Sequence, residues 1–142
     1  MTKKISFKIL MFTLFYLVLM IWMINIGIYK DLILLSFMML YYFTSVRQLI
    51  AEYKTKMIDP ANKIAIHKAN IVNFRNNVVE SLIIFIIYGT IIYFKHLPDL
   101  FATPYYMLIF LPAGGVIGYG VRYFMEKEEL QIALNKRKTT SQ

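Results

Sequence analysis

The sequence predicts an all-α, polytopic membrane protein: an antiparallel bundle of four transmembrane helices, with helices 2 to 4 extended into the cytoplasm. Three observations predict it. Of 142 residues, 58% are hydrophobic, against roughly 45–50% in soluble domains. Four apolar runs lie between charged markers, each near the ~20 residues a helix needs to cross ~30 Å of hydrocarbon. The basic residues, finally, gather in alternate connections, as an even number of spans requires.

The first run, residues 9–29, follows Lys3, Lys4 and Lys8 as the core of a secretory signal would. It outlasts a signal core of about 7–15 residues, and the chain continues NIGIYKDL with no small-x-small cleavage site, so a retained anchor is expected. The second run, 32–50, leads into 51–75, the only sizeable hydrophilic stretch. There Asp59 and Pro60 read as the cap and first residue of a helix, because proline lacks the amide proton that this position leaves unpaired. Neither Gly nor Pro recurs until Gly89, so the third span, 76–95, should start as a helix projecting from the bilayer by about sixteen residues, or roughly 24 Å. Its partly apolar face of Ile64, Ala65, Ala69, Ile71 and Val72 would pack on the extension around Leu49, Ile50 and Tyr53, lie on the membrane surface or bind a partner.

The fourth span, 104–124, contains FLPAGGVIGYGVRYF. Pro112 is expected to kink it near mid-span, and Gly114 with Gly118 forms a small-xxx-small face suited to close approach of another backbone. That face would serve packing within the monomer, a dimer interface or a hinge, and Arg122 continues it at the next i+4 position. The tail, 125–142, should continue the helix for several turns before fraying. In it Leu130, Ile132 and Ala133 are a weak apolar strip, and EKEE at 126–129 reads as a solvated face.

Orientation follows from charge. The N-terminus (Lys3, Lys4, Lys8), the 47–76 segment (Arg47, Lys54, Lys56, Lys63, Lys68, Arg75) and the tail (Arg122, Lys127, Lys136, Arg137, Lys138) hold fourteen of the sixteen Lys and Arg residues, leaving only Lys30 and Lys95 in the short connections. The positive-inside rule places both termini in the cytoplasm of a plasma membrane and argues against dual insertion. The net charge of +8 is then a basic cytoplasmic face attracted to anionic lipid headgroups. Its cations are scattered and accompany no reading motif, so nucleic acid is not an expected partner.

Catalytic chemistry is not apparent. Cysteine is absent, which removes disulfides and thiolate nucleophiles or metal ligands. No Ser, His and acid set falls at a common depth, and GGVIGYG lacks the Lys-Ser/Thr of a phosphate loop. His67 is expected inside and His96 outside; His96 with Asp99 offers two ligands on a loop, a poor metal site. Neither a metal nor a cofactor is expected.

The chemically marked residue is Glu80, in NNVVESLIIF. Counting back from Lys95, a full span reaches Asn76, so Glu80 lies about one turn inside the membrane zone. Similar arithmetic puts Arg47 and Arg122 at comparable depth on the second and fourth spans. An ion pair lowers the roughly 2.5–3.5 kcal/mol that a charge costs at the bilayer centre, and Arg122 is the expected neighbour because a short connection joins helices 3 and 4.

Four spans with Asp59, Lys63, Lys68 and Ala69 before the third resemble a group of small uncharacterised prokaryotic membrane proteins with a DER-type motif at that site. Here PAN follows Asp59 in place of Glu-Arg, and the resemblance implies no activity. The expected function is that of a non-enzymatic accessory, regulatory or immunity-type membrane protein, acting through a protein partner or as a homo-oligomer. A small oligomeric transporter or channel using Glu80 is the alternative, with a holin-like protein a weaker one.

Overall fold

A computed structural model describes residues 3–25, 32–95 and 104–140, and among these the chain is all-helical. Helices α1 (Lys3–Asn25), α2 (Leu32–Lys56), α3 (Lys63–Lys95) and α4 (Met107–Thr140, after a 3₁₀ turn at Pro104–Tyr106) are each long and apolar enough to cross a membrane. Large apolar side chains point outward on every one: Trp22, Phe43, Ile86, Phe110 and Ile117 are more than half exposed. Outward-facing apolar surface on this scale suits hydrocarbon rather than water, and is compatible with a multi-pass membrane protein.

The chain divides into two compact units, Met1–Tyr53 and Lys54–Gln142. In the first, α1 meets α2 around Tyr42. The Tyr42 ring stacks on Phe12 at 5.9 Å and lies 5.1 Å from the Tyr16 ring. Its hydroxyl is 2.7 Å from Thr13 Oγ1. Thr13 donates its single proton to the Ile9 carbonyl at 2.8 Å, so Tyr42 is the donor to Thr13.

The second unit is built on an antiparallel α3/α4 hairpin. Successive contacts run down one helix and up the other: His67 and Asn70 meet Glu126, Phe74 meets Tyr119, and Ser81 lies against Gly115. On α3 this seam reads His67, Asn70, Phe74, Asn77, Ser81, Ile84, Tyr88; on α4 it reads Leu108, Pro112, Gly115, Tyr119, Arg122, Glu126. Steps alternate between three and four residues, the 3.5-residue period of knobs-into-holes packing. One end is apolar, where Ile84, Tyr88, Leu108 and Pro112 are buried. The other is polar, and the last turn of α2 joins it there through a 3.0 Å hydrogen bond from Asn73 to Thr55.

Several local expectations are corrected. Asp59 caps a turn rather than a helix: its carboxylate accepts from Ala61 N at 3.0 Å and its carbonyl from Asn62 N at 2.9 Å. Pro60 occupies the position after Asp in that turn, where its fixed φ is equally at home. The helix cap is Asn62, whose side chain accepts from Ala65 N at 3.1 Å. Pro112 stands in the second turn of α4, which begins at Met107 and continues through it. The tail stays helical to Thr140. Within the α3/α4 pair the close approach is at Gly115, where an added β-carbon would lie 2.5 Å from Ser81 Oγ and 3.1 Å from Ser81 Cβ, while at Gly114 and Gly118 it would meet nothing within 4 Å.

Candidate functional site

Thirty-four residues of α4 and thirty-three of α3 exceed one hydrocarbon thickness by more than ten residues each. The surplus falls on the polar side of both helices, and antiparallel pairing brings the two surpluses to the same end of the hairpin. There the candidate site lies.

His67 on α3 faces two carboxylates on α4. His67 Nδ1 is 2.7 Å from Glu126 Oε2 and 3.5 Å from Glu129 Oε2. Glu126 and Glu129, three apart on one helix, share a face. Asn70, three residues after His67, donates from Nδ2 to the other Glu126 oxygen at 3.0 Å. Glu126 is thus gripped by both its oxygens and only 18% exposed, as is His67, whereas the Glu129 side chain is 57% exposed.

Beside this cluster opens a cleft of about 670 Å³ between the start of α3 and the last turns of α4. His67 and Glu129 form part of its wall; Ile64, Ile132 and Ala133 give it apolar surface, and Lys63, Lys136 and Arg137 contribute cations. The apolar strips expected on the two extensions therefore face one another in part. By contrast, EKEE does not behave as a uniformly solvated face. Lys127 and Glu128 are exposed, but Glu126 is turned into the seam.

Of the intramembrane charge cluster expected from depth arithmetic, the Arg122–Glu80 contact is revised. Arg122 does not reach for Glu80; its guanidinium lies over the Phe74 ring, 5.9 Å from the centroid, and the Tyr119 ring stacks on Phe74 at 6.4 Å. The seam register explains this, because Glu80 is level with Gly115, about two turns, or roughly 10 Å, along the axis from Arg122. Glu80 itself is half-buried beside Ser81, while Arg47 belongs to the first unit. His96 and Asp99 lie outside the described residues.

Sequence reasoning missed the His67–Asn70–Glu126–Glu129 constellation because the two helices contribute it from positions nearly sixty residues apart. The available signal was periodic: H-x-x-N on one helix and E-x-x-E on the other each put two polar side chains on one face. The chain matches no protein-family model, no curated protein and no solved structure.

Proposed function

We propose that this chain is a non-enzymatic accessory protein of a bacterial plasma membrane, multi-pass with both termini in the cytoplasm. It acts by holding a protein partner at the projecting end of the α3/α4 hairpin. The observation that carries this reading is the cleft, whose Ile64, Ile132 and Ala133 surface is edged by Lys63, Lys136 and Arg137. With Asp59 and Glu129 in the same wall, such a surface fits a partner segment that combines an apolar side chain with charged neighbours, acidic ones opposite the three cations. The fourteen-to-two distribution of Lys and Arg supports a cytoplasmic location for the cleft. A toxin-directed immunity factor and a membrane-bound regulator of a transcription factor are both forms this role takes.

The test is purification from native membranes in mild detergent. A stoichiometric protein partner is expected, lost when Lys136 and Arg137 are changed together to Glu and retained when lipid-facing Ile117 is changed to Leu. A partner-free particle that moves a solute across liposomes overturns the reading. If that flux also vanishes in Glu80→Gln, the protein is a transporter.

A further inference from the structure

The geometry points to a divalent transition-metal site formed by His67, Glu126 and Glu129, a role that goes beyond partner binding and does not depend on it.

The donor atoms of these three residues all lie within 4.8 Å of one another. First-row divalent ions bind imidazole nitrogen and carboxylate oxygen at about 2.0–2.2 Å, so donors around one ion stand ~3–4 Å apart. His67 Nδ1 and the two facing oxygens, at 2.7 and 3.5 Å, need only small rotamer changes to reach that spacing. The exposed Glu129 carboxylate has the freedom to make them.

The surroundings also match what a metal site requires. The ligands come from two helices locked in register by the Ser81–Gly115 approach and the Phe74–Tyr119 stack, so their separation is set by the fold rather than by a loop. Asn70 holds the outer oxygen of Glu126 at 3.0 Å, the kind of supporting hydrogen bond that aims a carboxylate ligand. One imidazole and two carboxylates carry charge −2 when the imidazole is neutral, which balances a divalent ion. The mixed N/O set without sulfur favours Zn²⁺, Mn²⁺ or Fe²⁺ over Cu⁺. Three protein ligands leave a coordination position for water or another donor, and His67 and Glu129 border the cleft from which such a donor would come.

Binding replaces the hydrogen bond between His67 Nδ1 and Glu126 by two bonds to the ion, and the neutral ring then carries its single proton on Nε2 rather than Nδ1, while protons compete with the ion for the imidazole and the carboxylates. Affinity therefore falls with acidity.

The test is titration of the full-length, chelator-treated protein in detergent with Zn²⁺ alone, followed by calorimetry, and with Co²⁺, followed by its visible absorption. One ion per chain is expected, with an affinity that falls as the pH is lowered. Glu129→Gln leaves the His67–Glu126 hydrogen bond in place and is expected to weaken binding by roughly 100-fold or more. Asn70→Ala, removing a supporting bond, should weaken it by about 10–100-fold. His67→Ala should abolish it, with circular dichroism confirming the helices. No binding, or binding that survives both Glu129→Gln and His67→Ala, overturns the proposal; the second result assigns the ion to an adventitious site.

Discussion

At the scale of single residues, a difference of one position separates Gly114 from Gly115. The small-xxx-small rule advances four residues at a time, which drifts about 40° around an α-helix at each step, so Gly114, Gly118 and Arg122 spiral away from one face. Alternate steps of four and three keep Pro112, Gly115, Tyr119, Arg122 and Glu126 on the seam. Gly115→Ala is expected to destabilise the hairpin by about 1–3 kcal/mol, because Ser81 Cβ, 3.1 Å from the added methyl, is fixed to backbone. Gly114→Ala, with open space around it, should be neutral or stabilising by up to ~1 kcal/mol through helix propensity. Thermal unfolding of both variants in detergent checks the contrast; equal effects would contradict the register. In the first unit, Tyr42→Phe removes the donor to Thr13 while keeping the ring contacts. Hydrogen bonds between membrane helices average about 0.6 kcal/mol, and a loss of that size is expected by the same measurement.

For whole elements, the four helices were readable from hydropathy, whereas their ends were not. Asp-Pro is ambiguous by itself, since the same proline geometry serves the first turn of a helix and the second position of a β-turn. What decides is the next polar residue, Asn62, whose side chain reaches the third helical amide. Asn62→Ala should therefore cost about 1 kcal/mol of stability and Asp59→Ala less, and amide exchange at Ala65 and Ile66 should rise only in the first. That α4 continues for several turns past the fourth span was legible, but not that it would hold its helix as far as Thr140. Its second half is polar enough to suggest fraying, but α3 runs alongside it and supplies His67 and Asn70 as partners for Glu126.

For the molecule as a whole, the signals with long range are hydropathy and charge asymmetry: the first predicts four helices long and apolar enough to cross a membrane, as the structure has, and the second predicts an orientation. Helix pairing depends on the phase of short polar motifs within those spans. Glu80 and Arg122 share a similar distance from the predicted membrane edge, yet equal depth brings groups together only if the seam also places them on facing turns. The orientation itself is open to a direct check. Because the chain has no cysteine, single cysteines can be introduced at Thr55 and Thr140 and beside Lys30 and Lys95. Thiol reagents that cannot cross membranes should label only the latter two in intact cells, and all four after permeabilisation.

The polar and apolar ends of the α3/α4 seam also limit how the hairpin can move. Sliding α4 by one heptad in one direction would set Ala133 against Asn70 and Glu126 against Phe74; in the other it would set Tyr119 against His67 and Asn70. Either slip strands a carboxylate or an amide that now has its match. A one-heptad slip of this pair of helices therefore costs the polar pairings of Glu126 with His67 and Asn70. The Ser81–Gly115 approach is then the tightest point of the pair, the place where the two helices have least room to separate or slide.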